Sequence, residues 1–295
     1  MNITNFQSSN SSTHITLQKS VHMSNHPVSV KNKVILLTGA FGLIGKQISK
    51  AFLQQGAKVV LADVNLAAIS AIQNEFESFG KENFLVIELD ITNEASAANA
   101  VAATVSAFGK LDVLINNAAI DAKFDKSGMS KVNQSRFENY PVDLLRKSVD
   151  VNLTGTVIMT QAACKQMLQQ GSGNIINVAS TYSIVSPNQN LYDFGEGIKN
   201  FKPIDYIASK SFIPNFTRYI ATFYSKDGIR CNAIVPHGIF NDHDEAFLHN
   251  FSKMSPLGRM CNREELDAPF LFLASDGSSY MTGSVLMVDG GWTAW

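Results

Sequence analysis

The sequence predicts an α/β fold, a doubly wound parallel sheet of about seven strands in a single domain. Three observations carry this expectation. Short β-branched runs alternate with longer helix-period segments from residue 33 onward. The apolar runs are continuous rather than alternating, as suits strands covered on both faces. The first run ends in a glycine-rich turn that opens a helix.

In order, "KVILLTG" (33–39) is the first strand and 43–55 a helix that ends before Gly56. "AKVVLAD" (57–63) is the second strand, followed by a helix over 65–79. Then come strand "NFLVIELD" (83–90), helix 94–108 and strand "LDVLINNA" (111–118). One long helix is expected over about 142–170, before strand "GNIINVAS" (173–180). Helix 205–226 leads to strand "IRCNAIVP" (229–236), and helical segments follow near 242–253 and 262–274. "SVLMVDGG" (284–291) closes the sheet. Alternation of this kind gives right-handed crossovers, and no block remains for a second, substrate-binding domain.

The chain has 295 residues, 45% of them hydrophobic, enough for one large core. A formal net charge of −1 argues against a nucleic-acid partner that is held by phosphate neutralisation. Cys164, Cys231 and Cys261 are far apart, which suits buried thiols in a reducing, cytoplasmic setting. No run is long and apolar enough to span a membrane. Residues 1–30 are Ser/Asn/Thr-rich, without the basic and apolar regions of a signal peptide, and read as a disordered polar tail. The catalytic domain is expected over 31–295, and Met23 is an alternative start to Met1.

"TGAFGLIG" (38–45) stands at the first strand–helix junction. Gly39 permits the tight turn, Gly42 lets backbone approach a diphosphate, and Gly45 lets the helix pack close to the strand. Phe41, Leu43 and Ile44 complete this expected cofactor loop, with the helix N-terminus facing the phosphates. Asp63 ends the second strand, where a carboxylate accepts both ribose hydroxyls of an adenosine and repels a 2′-phosphate. No arginine or lysine at 40–45 or 64–68 offsets that repulsion, so NAD is expected rather than NADP. Asp90, followed by Ile91, is placed to reach the adenine, or else to cap the helix that begins near Glu94.

With "TGAFGLIG", "LINNAA", "DVNLTGT", "INVAS" and "YIASK" in this order, the chain resembles the short-chain dehydrogenase/reductase family from about residue 31 to 295. The resemblance implies a Rossmann-type fold and a tetrad of Asn152, Ser180, Tyr206 and Lys210. It places Asn116, Asn117 and Ala118 beside the adenine ribose, and the backbone of Ile239 against the nicotinamide carboxamide. It further implies a homodimer or homotetramer built on the helices over 142–170 and 205–226.

The residues argue the chemistry as well. Tyr206 and Lys210 stand four apart on a helix and share a face. An ammonium there is expected to lower the phenol pKa, making Tyr206 a general acid/base, and also to reach the nicotinamide ribose. Ser180 can hold the substrate oxygen as charge develops, and Asn152 is expected to hold a water that links Lys210 to solvent.

Three departures from the family pattern stand out. The glycines follow TGxxGxxG, a spacing commoner in the extended branch, instead of TGxxxGxG. Ala119 and His237 occupy positions where glycine is usual. His237 is either a turn residue or a substrate contact.

Ser180 and Tyr206 are about twice as far apart as is usual in the family. The additional chain, with Tyr192 as a candidate substrate contact, and the segment 120–141 both belong to the carboxyl rim of the sheet. Lys123, Lys126, Lys131, Arg136, Asn188, Gln189 and Asn190 are expected to give a polar, partly cationic wall for a hydroxyl-rich or anionic substrate. Subunit contacts or plain surface loops are the alternative. "RFENYP", "NFTRYIATFY" and "GGWTAW" resemble members from bacterial surface-glycan loci, including those for legionaminate and flagellin glycosylation. That resemblance implies a sugar, sugar phosphate or nucleotide sugar.

The histidines and acids of "FNDHDEAFLHN" lack the one-face spacing of a metal site, so no metal is expected. The expected function is NAD-dependent hydride transfer between a secondary alcohol and a ketone on such a small polar substrate. An NAD-retaining epimerase or dehydratase and a silent dinucleotide sensor remain as rivals.

Overall fold

The computed structural model describes residues 28–121, 135–193 and 200–295. Most of the expected tail, with Met23, lies outside the described residues, as do Lys123, Lys126 and Lys131. Seven strands form one parallel sheet: β1 (Val34–Thr38), β2 (Lys58–Asp63), β3 (Phe84–Glu88), β4 (Val113–Asn116), β5 (Gly173–Val178), β6 (Ile229–Pro236) and β7 (Val285–Val288). Their spatial order is β3-β2-β1-β4-β5-β6-β7. The winding therefore reverses between β1 and β4, the crevice where such sheets take ligands.

All five residues of β1 are buried, because successive side chains feed two different cores. Ile35 and Leu37 join Phe52, Phe76 and Phe270 on one face. Leu36 joins Met159, Ala163 and Met167 on the other. Helices α1 (Leu43–Gln54), α2 (Ile69–Phe76) and α3 (Glu94–Phe108) connect the first four strands. Asn93 caps α3, its side chain accepting from the Ser96 amide, so Asp90 is not the cap.

The single helix expected over 142–170 is interrupted. It runs as α4 (Val142–Val149), a π-helical turn over Asp150–Gly155, and α5 (Thr156–Gln170). Gly155 lies so close to Ile91 that an added Cβ would meet Ile91 Cγ1 at 2.7 Å. The wider turn carries Asn152 on the rim of the sheet, a placement common for π-turns at functional sites.

The helix expected over 205–226 is likewise two: α6 (Ile204–Ser211) and α7 (Ile213–Phe223). Pro214, in the first turn of α7, has no N–H to continue the preceding ladder. After β6, α8 (Glu245–Met254) and α9 (Asp267–Ala274) complete the fold. No helix among the described residues is long and apolar enough to cross a membrane.

Candidate functional site

The carboxyl ends of the strands open into a cavity of about 2060 Å³ that runs from the glycine turn to α8. At one end, Gly39 adopts φ +64°, and a Cβ there would come within 2.6 Å of Ala118 Cα. A Cβ on Gly45 would meet the Gly39 carbonyl oxygen at 2.3 Å, so helix and turn are in direct backbone contact. A Cβ on Gly42 meets only that same oxygen, at 3.5 Å, which leaves room in front of it. Gly42 precedes α1 with no side-chain cap and no acid in the first turn. Free helix N–H groups beside an open backbone could cradle a diphosphate, and the altered glycine spacing leaves them free to do so.

Asparagine and threonine side chains hold this turn in place. The Asn117 amide donates to the Thr38 and Gly39 carbonyls at 3.0 and 2.9 Å. The Thr38 hydroxyl accepts from the Asn117 and Ala118 N–H groups. Asp63 accepts from Phe41 N at 3.0 Å and Asn65 N at 3.1 Å, and it borders the cavity with Leu43, Ile44, Asp90, Ile91 and Ile239. Asp90 accepts from both the amide and hydroxyl of Thr92.

Three of the four expected catalytic residues, Ser180, Tyr206 and Lys210, line this cavity, and Asn152 is buried behind it. Ser180 follows β5 and lies close enough to the Tyr206 phenol to pull its pKa down. Lys210 is buried and donates to the Val178 carbonyl at 2.7 Å. Burial lowers its pKa to about 8.

One expectation needs correction here. Tyr206 is not made more acidic by Lys210: burial first, and the Asp121 carboxylate next, push its pKa up, against a smaller downward pull from Ser180. The physical reason is that Lys210 turns its protons to a backbone carbonyl. The Asn152 carboxamide is tied to its neighbours. Its Oδ1 accepts from Ile120 N at 2.8 Å, and its Nδ2 donates to Ile120 O and Ser209 Oγ. It fastens the segment after β4 to α6.

At the far end, Tyr192 and Tyr182 are buried and share a 2.8 Å hydroxyl–hydroxyl bond. His237 is 7% exposed, bonded through Nδ1 to Thr181 Oγ1 and packed 4.2 Å from the Trp292 ring and 5.1 Å from Phe251. It is thus more than a turn residue, and its buried Nε2 has no hydrogen-bond partner. Burial lowers its pKa to about 4, so the ring is neutral near pH 7.

The expected polar wall takes a different form. Asn188 and Asn190 face solvent, and Arg136 pairs with Glu138 on the surface. Gln189 holds the Lys202 backbone, accepting from its N–H at 2.9 Å. Lys202 itself, which the sequence reading missed, lies 4.3 Å from the Tyr206 ring centroid and pairs with Asp121. The pair joins two long segments 81 residues apart, so no local pattern announces it. On the opposite wall His243 stacks on Phe247 at 5.1 Å.

A glycine cradle, an acid beside it and a Ser–Tyr–Lys cluster at its end together fit a dinucleotide and a hydride acceptor's neighbour. Comparison with known proteins agrees. The family model described as enoyl-(acyl carrier protein) reductase matches residues 39–293. The chain is 32% identical to an L-rhamnose 1-dehydrogenase (NAD(P)+) of Sphingomonas sp. strain SKA58, with 89% of this chain and 96% of that one covered. It is 28% identical to a post-translational flagellin modification protein A of Campylobacter coli, covering 89% and 99%. A short-chain dehydrogenase of Leptospira borgpetersenii with bound NAD+ superposes with TM-score 0.76 at 29% identity, covering 94% of this chain and 98% of that one. The chain belongs to the short-chain dehydrogenase/reductase family and is an NAD(P)-dependent oxidoreductase.

Proposed function

We propose that the protein uses NAD to interconvert a secondary alcohol and a ketone on a small carbohydrate-derived substrate, with Tyr206 as the proton-transferring group. The observation that carries this reading is the convergence of Ser180, Tyr206 and Lys210 on the cavity that begins at the glycine cradle. Names of relatives, an L-rhamnose dehydrogenase and a flagellin modification protein, support the substrate class.

When bound, the nicotinamide supplies the hydride chemistry. The protein's own part is orientation and proton movement. The raised pKa of Tyr206 keeps its phenol protonated near neutral pH, ready to donate to a substrate carbonyl oxygen; in the reverse direction the phenol must first lose that proton, and the phenolate then takes the proton of the alcohol. Ser180 donates a second hydrogen bond to that oxygen. Lys210 would hold the nicotinamide ribose, and its depressed pKa lets it relay a proton near neutrality. Gly39, Phe41, Gly42, Leu43, Ile44 and Gly45 would hold the diphosphate, and Asp63 the adenosine ribose. Asp90, Ile91, Asn117, Ala118 and Ile239 would border the adenine and nicotinamide. Tyr192 and His237 would meet the substrate.

Asp63 favours NAD over NADP, because its carboxylate, held in place by the Phe41 and Asn65 N–H groups, can accept ribose hydroxyls and would repel a 2′-phosphate. Residues 31–295 would form the catalytic domain. Exposed Leu144, Tyr219 and Phe223 on α4 and α7 support a homodimer or homotetramer.

The test is nicotinamide reduction or oxidation, followed by absorbance, across sugars and polyols with NAD and NADP in parallel. Turnover with NAD supports the reading. Absence of NADH binding, or turnover with NADP alone, overturns it.

A further inference from the structure

The Asp121–Lys202 pair stands directly over Tyr206, at the substrate end of the cavity. Lys202 Nζ donates to both carboxylate oxygens of Asp121 at 2.6 Å. The two partners differ in exposure: the Lys202 side chain is 8% exposed and that of Asp121 44%. The cation is covered by the Tyr206 ring and by its carboxylate, so the group offered to an incoming molecule is an acceptor. Across the cavity, Asp242, Asp244 and Glu245 line the wall that follows β6. His237 adds no charge there at neutral pH.

An anionic substrate would have to pull Lys202 from a bidentate partner while facing these carboxylates, both of which cost free energy. A hydroxyl meets the opposite situation, a half-exposed carboxylate with unused lone pairs. Tyr182, Tyr192 and Phe247 also line the cavity and add apolar ring surface suited to the C–H groups of a neutral substrate.

We infer that the Asp121–Lys202 pair is a selectivity element that admits uncharged, hydroxyl-rich substrates and rejects carboxylates and phosphate esters, with Asp121 accepting a hydrogen bond from a substrate hydroxyl. The inference rests on the function proposed above and narrows it. It removes sugar phosphates and nucleotide sugars from the substrate classes the sequence left open.

The experiment compares kcat/KM with NAD for L-rhamnose, D-galactose and glycerol against D-galacturonate and D-galactose 6-phosphate. NADH binding, by fluorescence, is measured on the same preparations. A hydrogen bond to a charged group corresponds to about tenfold, so the neutral member of each galactose pair is expected to lead by at least about that factor. Asp121→Asn is expected to narrow the ratio, and Lys202→Gln to widen it by leaving the carboxylate unpaired. A merely structural pair would move both variants the same way.

Preference for a charged member, equal ratios in both variants, or no turnover of any neutral compound by a protein that binds NADH overturns the inference and leaves the dinucleotide reading standing. Failure to bind NADH sinks the proposed function itself. The wild-type ratio decides the substrate class even if a variant fails to fold.

Discussion

The two ends of the cavity are built differently. At the cofactor end, backbone does the work: Gly39 and Gly45 are in contact distances that no side chain tolerates, and Asn117 and Thr38 tie carbonyls and amides of the turn. At the substrate end, side chains do it: Tyr182 against Tyr192, His237 between Thr181 and Trp292, and Lys202 against Asp121. Backbone contacts of the first kind admit only one residue type per position. Contacts of the second kind can be made by many residue pairs, drawn from segments far apart in the chain. Contacts of the first kind therefore leave a recognisable sequence pattern, and contacts of the second kind do not.

Changes at each end separate these roles, beginning with the catalytic group between them. Tyr206→Phe is expected to lower kcat by about 10³-fold, the usual worth of a positioned general acid/base, with NADH affinity unchanged. Steady-state kinetics and fluorescence titration check both halves of that statement. Gly39→Ala is next: the left-handed φ costs about 1–2 kcal/mol and the Ala118 clash adds to it. A lower melting temperature and at least about tenfold weaker NADH binding are expected, 1.4 kcal/mol being one decade. A variant that binds NADH normally would mean that the turn is looser than its contacts imply.

Asp63→Ala should leave the fold intact and shift the NAD/NADP ratio of kcat/KM toward NADP by about tenfold, the worth of a charged hydrogen bond. A change at the other end of the cavity is read in stability and not in turnover. His237 has a folded pKa near 4, below its ordinary value of 6.5, so only the unfolded state takes up its proton between those values. Wild type should thus lose stability relative to His237→Phe by about 1.4 kcal/mol per pH unit as pH falls from 6.5 toward 4. Parallel denaturant titrations that show no divergence would place the ring in a wetter site.

The same contrast explains what was legible in the sequence. The seven strands and the glycine turn could be read because periodicity and backbone geometry demand those residues locally, whereas Ser180, Tyr206 and Lys210 were picked out by the resemblance of their motifs to the family. The π-turn at Asp150–Gly155 could not, since its widening answers the close approach of Gly155 to Ile91, a contact distant in sequence. The wall around Tyr206 was anticipated as polar and cationic from residue types alone. Asn188 and Asn190 instead face solvent, while Lys202 is paired and covered. The pKa of Tyr206 shifts opposite to expectation because of burial, which is invisible in a one-dimensional spacing argument.

The central claim is net hydride transfer to free NAD, in contrast to a transient oxidation on a retained cofactor. It is tested most directly by supplying a neutral sugar from the panel, deuterated at the carbinol carbon, and counting the reduced nicotinamide formed per protein. The account predicts accumulation far beyond one equivalent, with the deuterium in the nicotinamide and a ketone or lactone as product. Reduced nicotinamide that stops at or below one equivalent while the sugar is epimerised or dehydrated would contradict it.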